Sequence, residues 1–559
     1  MFKKNYFLLA LLLLVTIFII SACSSDDANA PVNDSNAENN GNNDVAEEPA
    51  AEPAEEQVLI FARGGDSVSL DYASVTDGES SRVTKQIYET LVEFDQDSFE
   101  YGEGLATDWS WDDDGLRFVF QLREGVEFHD GTDFNAEAVK VNFERWADAE
   151  HPFAFTDDNY VYSVYGTQFG GFKGDDSHVI DEINILGDFE IEFILNRPLG
   201  SFMQNMGMSY FAITSPAAFE EHGSKINENP VGTGPFKFVS WAKDDSIILD
   251  KNENYWQEGL PKLDRVIFQV IPDNSARLTA LRSGEIDIMD GLSPDDIATV
   301  ESDAAYQLFE RSTNNVGYLG FHTEKEPFDN VLVRRAINHA VNKEALIGAL
   351  YGGLAQSAKN AVPPGYLGYN DDIEEYEFNP EKAKELLTEA GFPDGFEFEL
   401  WTMPVARPYM PNPERAAEAL QADLADVGLT AKIVTMEWAT YLEKTTLGEQ
   451  DVFMLGWSGV NGDPDYFLAN LLSADAIPGG NRTFYRNADV TRILDEAKTI
   501  VDPAIRDELY KEAQRLIHED APMVPLVHSV PILAGGANVK GYVAHPSTSE
   551  VLSFVELTN

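Results

Sequence analysis

The segment 396–467 constrains the fold most, because strand and helix patterns alternate along it. The predicted elements are strands 396–401, 429–436 and 452–457 and helices 413–427 and 439–448. Strands joined by helical crossovers are expected to be parallel neighbours, and ligands of open α/β sheets bind outside the carboxyl ends of their strands. The sequence therefore predicts a site at one sheet edge, where Arg407 and Val460 follow the first and the last of these strands.

Acidic residues dominate the charge of the chain. Its 559 residues include 96 Asp and Glu against 39 Lys and Arg, a formal net charge of −57. Such a surface repels nucleic-acid phosphates and anionic lipid headgroups, so we expect neither to bind the folded body. Mutual repulsion at this density destabilises a compact fold unless counter-ions screen it, which favours a salty, halophile-like setting. An ordinary acidic extracellular protein is the alternative.

The first 23 residues have the pattern of an export signal. Lys3 and Lys4 precede a mainly apolar run at 6–20, which is shorter than the roughly 20 residues of a spanning helix. Ile20-Ser21-Ala22-Cys23 resembles the lipobox of bacterial lipoproteins, which implies that Cys23 is lipidated and becomes the new N-terminus. An uncleaved membrane anchor is the alternative. Cys23 is the only cysteine, so no disulfide is expected.

Residues 24–57 follow with a composition that cannot build a core. They consist mainly of Asn, Asp, Glu, Ala, Pro and Ser. Such a segment stays disordered because it buries too little apolar surface to offset its conformational entropy. We therefore predict an acidic tether that holds the folded body near the outer face of the cytoplasmic membrane, in an extracellular or periplasmic position.

Four phrases and one long stretch of the body carry a family resemblance. The first phrase contains Asp114-Gly115, a hairpin turn between alternating strands, and a predicted helix at 135–146 follows it. The set comprises residues 105–131, 231–238, 273–287, 334–343 and 403–465. In this order they resemble the peptide/nickel branch of ABC-transporter solute-binding proteins, family 5, and most of all its dipeptide-binding proteins.

The resemblance implies an α/β, periplasmic-binding-protein-like fold with two lobes and an additional inserted domain, the cluster C type. The implied segments are 58–90, 199–312 and 530–559 for lobe one, 91–198 for the inserted domain and 313–529 for lobe two. A hinge is expected at the hydrophobic run 524–527, after which the chain crosses back to lobe one.

The same resemblance implies that Arg407 binds the C-terminal carboxylate of a peptide ligand. In dipeptide-binding proteins the arginine of a Met-Pro-Val-x-Arg-Pro-Tyr phrase pairs with the ligand's C-terminal carboxylate, and here that phrase is 403–409. A guanidinium fork suits this role because it binds a carboxylate through two charge-assisted hydrogen bonds. A purely structural pairing of Arg407 with an acidic neighbour is the alternative.

The loop that would bind the ligand's α-ammonium group departs from the family pattern. An aspartate of the loop form Gly-Trp-x-x-Asp accepts the ligand's α-ammonium in those relatives, and this chain has Val460 there. Valine accepts no hydrogen bond, so a buried ammonium would lose its partner. Three explanations stay open: Asp463 or Asp465 accepts the amine, the ligand lacks a free α-amine, or the amine remains in water. Asp463-Pro464-Asp465 is alternatively a turn that fixes the loop.

The remaining candidates belong to the same two loops. Trp457, Tyr409 and Tyr466 are expected to stack on the ligand, with core packing as the alternative, and Gly459 lies between Trp457 and Val460. Main-chain groups are expected to supply further hydrogen bonds, as in strand-like peptide recognition.

These observations predict a lipid-anchored, monomeric receptor that captures small peptides and presents them to the permease subunits of an ABC importer. The alternatives within this class are a cargo without a free α-amine, such as a glutathione-like peptide, a nickel chelate or an oligosaccharide. No cofactor is expected, and no cluster of histidines and acids has metal-ligand spacing. A secreted peptidase is disfavoured, since the sequence has no Gly-x-Ser-x-Gly and no His-Glu-x-x-His.

Overall fold

The computed structural model describes residues 56–75, 77–155, 162–404 and 407–558. The predicted export signal, Cys23 and the tether up to residue 55 lie outside the described residues. The body begins one residue earlier than expected, because the amide of Gln57 already donates to Asp264 Oδ2 at 2.8 Å. Within the described residues no helix is both long and apolar enough to cross a bilayer.

A mixed seven-stranded sheet, here the lobe-one sheet, forms the first lobe. The chain enters it at the strand Val58–Arg63, which pairs in parallel with Arg265–Val270 on one side and Ile288–Met289 on the other. Its strands, in spatial order, are Tyr306–Glu310, Ile532–Gly536, Ile288–Met289, Val58–Arg63, Arg265–Val270, Ser246–Lys251 and Phe236–Ala242. The helices of these segments are Gly78–Thr84, Phe202–Met206, Pro216–His222, Asn274–Ser283 and Ile297–Glu301.

The sequence pattern at 80–91 is typical of a helix, but the first of these helices covers only Gly78–Thr84. It ends at Thr84, because the carbonyls of two residues shortly after it take part in other backbone hydrogen bonds. The carbonyls of Gln86 and Ile87 accept from the amides of Phe236 and Gly234, at 3.0 and 2.9 Å. Pairing with the start of a lobe-one strand therefore replaces the continuation of the helix.

Four antiparallel strands, here the insert sheet, form the additional domain. The predicted hairpin is present, with Gly115 at a φ of 65° in the turn, where glycine adopts a left-handed backbone without strain. The strands, in spatial order, are Ala106–Trp111, Arg117–Leu122, Glu190–Leu195 and Ile180–Gly187. The helices Ala136–Ala147 and Ser163–Gln168 supply buried side chains to the same core. A separate short hairpin, Val92–Phe94 with Tyr101–Glu103, precedes them.

Six strands form the lobe-two sheet. The strand Glu397–Trp401 lies in parallel between Thr430–Val434 and Val452–Ser458, which confirms the three parallel neighbours predicted from the sequence. The spatial order is Ala355–Ser357, Met523–Ser529, Asn315–Phe321, Val452–Ser458, Glu397–Trp401 and Thr430–Val434. The helices are Val331–Ala340, Lys343–Leu350, Pro380–Glu389, Pro413–Asp426, Trp438–Thr446, Asp465–Leu472, Ala488–Lys498 and Pro503–Asp520.

Two neighbouring connections join the lobe-one and lobe-two sheets. Residues 311–314 lead from Tyr306–Glu310 into Asn315–Phe321, and residues 530–531 lead back from lobe two. The amide of Arg311 donates to the carbonyl of Pro531 at 2.9 Å, so the two connections run side by side. Residues 524–527 lie inside the strand Met523–Ser529, and the chain leaves lobe two after that strand. The residue-level domain boundaries stay predictions.

Candidate functional site

A cleft of about 310 Å³ opens at the lobe-two edge where the parallel strands end. It brings together four of the side chains predicted from the sequence: Arg407, Tyr409, Trp457 and Tyr466. The full lining is Tyr318, Arg407, Tyr409, Trp438, Leu442, Leu455, Gly456, Trp457, Ser458, Tyr466, Gly480 and Arg482. Five of these twelve residues are aromatic, so the cleft offers flat apolar walls around a small number of polar groups.

Arg407 is exposed at the mouth of this cleft. Its backbone exchanges two hydrogen bonds with Met410, at 3.0 and 2.8 Å, which closes the turn after the strand Glu397–Trp401. The guanidinium carbon lies 5.0 Å from the ring centre of Trp438, a cation–π contact that orients the planar group. Among the described residues Arg407 makes no ion pair with a carboxylate, so its hydrogen-bonding edge is open to a ligand.

Tyr409 is fixed from both its backbone and its ring. Its carbonyl accepts a hydrogen bond of 2.8 Å from the Tyr351 hydroxyl. Its ring lies on the backbone of Gly456, where a Cβ atom would come within 2.2 Å of a ring carbon, so only glycine permits this packing. Burial raises the pKa of Tyr409 to about 12, although Arg407 and Arg482 both lower it. The hydroxyl is therefore neutral at ordinary pH and can donate or accept.

Trp457 forms a second aromatic wall. It is half-buried near the end of the strand Val452–Ser458, with its ring centre 5.7 Å from that of Tyr466. Its indole nitrogen is buried and has no hydrogen-bond partner among the described residues. Two adjoining rings of this kind suit an extended peptide backbone or an apolar side chain.

The loop after Trp457 does not turn its predicted binding residues into the cleft. Gly459 is buried and pairs with Asn314 of the inter-lobe connection: its amide donates to the Asn314 side chain at 3.0 Å, and its carbonyl accepts at 3.0 Å. Val460 is partly buried and packs against the apolar core of the insert sheet. These contacts tie the edge of the cleft to the hinge and to the inserted domain.

Asp463 is also directed away from the cleft. It is 1% exposed, and Arg506 Nη2 lies 2.8 Å from its carboxylate. Its Oδ1 accepts from the amide of Asp465 at 3.0 Å, while its own amide donates to Asn461 Oδ1 at 3.1 Å. These are the contacts of a turn that fixes the loop.

Asp463 and Asp465 line a different, polar cavity of about 270 Å³, which shares only Tyr466 with the cleft. Burial, with the nearby Asp463 adding to it, raises the pKa of Asp465 to about 6. The structure thus separates the two aspartates from Arg407, and their role as amine acceptors stays a prediction.

Arg482 and Trp438 are cleft residues that the sequence did not indicate. Nη1 of Arg482 donates to the Leu442 carbonyl at 3.1 Å and to Thr445 Oγ1 at 2.5 Å, which places the guanidinium beside the helix Trp438–Thr446. Arg482 stands in a segment with neither strand nor helix, and no motif surrounds it. Only the tertiary fold brings it to Arg407.

Within the described residues no group of three or more His, Cys, Asp or Glu side chains is arranged to hold a metal ion.

Comparison with known proteins gives a consistent result. The sequence model of bacterial extracellular solute-binding proteins, family 5 middle, matches residues 100–479. Heme-binding protein A of Haemophilus influenzae is 36% identical over 551 residues, covering 96% of this chain and 96% of that protein. The dipeptide-binding protein of Escherichia coli K12 is 38% identical over 504 residues, covering 88% of this chain and 92% of that protein.

A solved structure shares the architecture over nearly the same extent. The ABC transporter-associated periplasmic binding protein DppA from Helicobacter pylori, in complex with peptide STSA, superposes with a TM-score of 0.75 at 38% sequence identity. The match covers 90% of this chain and 98% of that chain.

Proposed function

Because the chain belongs to the family 5 bacterial extracellular solute-binding proteins, we propose that it captures small peptides or peptide-like carboxylates outside the cell and delivers them to an ABC importer permease. Arg407 is the observation that carries this proposal. It is a cation at the end of a parallel strand, oriented by Trp438 and without an ion-pair partner among the described residues. A guanidinium so placed selects a planar carboxylate.

The relatives support a peptide cargo. The Escherichia coli relative is a dipeptide-binding protein, and the Helicobacter pylori structure contains peptide STSA. The heme-binding relative shows that cargo differs among similar chains, so the cleft of this chain decides its ligand. Its aromatic walls fit an extended backbone, and its lining contains no carboxylate that would accept an ammonium group.

Capture is proposed to follow from closure of the two lobes around the ligand. Only two short connections, 311–314 and 530–531, join the sheets, and a small rotation within them moves one lobe against the other. A ligand that contacts both lobes stabilises the closed state by its extra contacts there. The loop at Gly459 moves with the hinge because it is hydrogen-bonded to Asn314.

Lipidation of Cys23 and the acidic segment that follows it are proposed to keep this receptor at the outer face of the cytoplasmic membrane. Two features support this placement: the export-signal pattern at 1–23 and the extracellular family. A monomer suffices for the proposed capture step, because a single chain contains both lobes.

Identification of the bound cargo tests the proposal. The folded body should be purified without refolding, denatured, and its released small molecules identified by mass spectrometry, alongside an Arg407→Ala variant and the control Arg415→Ala, which removes an exposed arginine outside the cleft. We expect intact peptides in about equal molar amount with the wild type and the control, and a loss with Arg407→Ala. Release of cleaved products, or of solutes without a carboxylate, would contradict the proposal.

A further inference from the structure

The cleft contains a second arginine that the proposed function does not use. Arg482 is half-buried, and its Nη1 holds the Leu442 carbonyl and Thr445. Its Nε and Nη2 make no hydrogen bond to any described residue, and no carboxylate lies within ion-pair distance in that part of the chain. Three N–H donors of a charged group therefore remain for a ligand, since each nitrogen of the guanidinium fork donates.

The charge of the cleft is opposite to that of the rest of the chain. The sequence has more than two acidic residues for each basic one, 96 against 39. The twelve residues of the cleft include two arginines and no Asp or Glu. Arg482 is the partly buried one of the two, and a partly buried cation loses hydration that an anion with strong acceptors replaces.

Both arginines line the same small cleft as Tyr409. Both also lower the pKa of the Tyr409 hydroxyl, in keeping with this placement. Tyr409 cannot move away, because its ring lies on Gly456 and its carbonyl is held by Tyr351. A small ligand lying on Tyr409 thus comes within reach of both cations.

We propose that the preferred cargo is a peptide-like solute with two acidic groups, one bound by Arg407 and the other by Arg482. This rests on the proposed function and narrows it to dianionic peptides, such as those ending in glutamate. The second acid forms charge-assisted hydrogen bonds with the free donors of Arg482, and the aromatic walls shield both pairs from water. No ammonium group is needed, since the cleft offers no carboxylate to receive one.

Two N-acetylated dipeptides of equal size test this inference. N-acetyl-Ala-Glu and N-acetyl-Ala-Gln differ by one negative charge, and calorimetric titration of the wild-type body gives both dissociation constants. We expect the glutamate peptide to bind at least about tenfold more tightly, the effect of roughly 1.4 kcal/mol. The ratio should fall to near one in Arg482→Gln and persist in part in Arg482→Lys. Arg486→Gln, which removes an exposed arginine paired with Glu324 at 2.7 Å, should leave it unchanged.

The ratio separates recognition from folding, because both peptides are titrated into the same sample and a partly unfolded fraction affects them equally. The wild-type comparison needs no variant. Equal affinities in the wild type, or an unchanged preference in Arg482→Gln, would overturn the inference while the peptide receptor stands. If neither these peptides nor any member of a peptide library binds, the proposed function fails, and this inference with it.

Discussion

Replacement of Arg407 by alanine tests the carboxylate anchor most directly. The substitution removes a guanidinium that lies 5.0 Å from the Trp438 ring and has no carboxylate partner in the described part of the chain. A hydrogen bond to a charged group contributes about 1.5–3 kcal/mol when water is excluded. Because Arg407 is exposed in the ligand-free cleft, solvent screening reduces this value until the lobes close.

We therefore expect a loss between about tenfold, for roughly 1.4 kcal/mol, and about 150-fold, for roughly 3 kcal/mol. Amidation of the peptide's C-terminus removes the other partner of the same pair and should cost a similar factor. The two changes form a thermodynamic cycle, so applying both should cost little more than applying one. Titration calorimetry with the free and amidated peptide, on wild type and variant, gives all four affinities.

Arg415→Ala is the matched control, since it removes an exposed arginine in the first turn of the helix Pro413–Asp426 that does not line the cleft. Its affinity for both peptides should equal that of the wild type. Losses that multiply in the double perturbation would show that Arg407 and the carboxylate act independently, and the anchor assignment would then be wrong.

Three further substitutions have defined outcomes. Val460→Asp should give no gain in affinity for free-amine dipeptides and a lower denaturation midpoint, because Val460 packs against the core of the insert sheet. A higher affinity would show that the loop turns this position toward the ligand when the lobes close. Asp463→Asn should lower the free energy of unfolding in urea by about 3–5 kcal/mol, because the buried Arg506 loses its paired carboxylate. A smaller loss in the double variant Asp463→Asn/Arg506→Met would confirm that the ion pair is the cause. Asp465→Asn should raise the free energy of unfolding by up to about 3 kcal/mol above pH 6 and leave it unchanged below pH 4, because the folded state resists ionisation of a carboxyl whose pKa is raised to about 6. An equal effect of the substitution at both pH values would contradict the raised pKa.

The sequence predicted the elements of lobe two closely and the cleft only in part. The strand expected at 396–401 is Glu397–Trp401, and the helix expected at 413–427 is Pro413–Asp426. Local signals suffice there: apolar periodicity defines the buried faces, Asn412 caps the helix, and Gly428 follows it with a φ of 89°.

Side-chain direction in the loop after Trp457 was not accessible from sequence. The family's loop form and the predicted sheet edge place Gly459, Val460 and Asp463 near Arg407, but tertiary partners direct these residues away from the cleft. Asn314 holds Gly459, and Arg506 holds Asp463 from a helix more than forty residues away. Arg482 was missed for the converse reason, since nothing in its neighbours along the chain signals that the fold returns it to the cleft.

The acidic surface and the basic cleft have opposite effects on an anionic solute. The chain has a formal net charge of −57 and repels an anionic solute, although screening confines that repulsion to about 8 Å from the surface at physiological salt. Within the cleft the local charge is positive, because the lining contains Arg407 and Arg482 and no Asp or Glu. A monoanionic solute is repelled less than a dianionic one, but it satisfies only one of the two guanidinium groups. The acidic surface therefore repels the dianionic solute more strongly than the monoanionic one. A higher affinity for the dianionic solute must then come from the two arginines of the cleft.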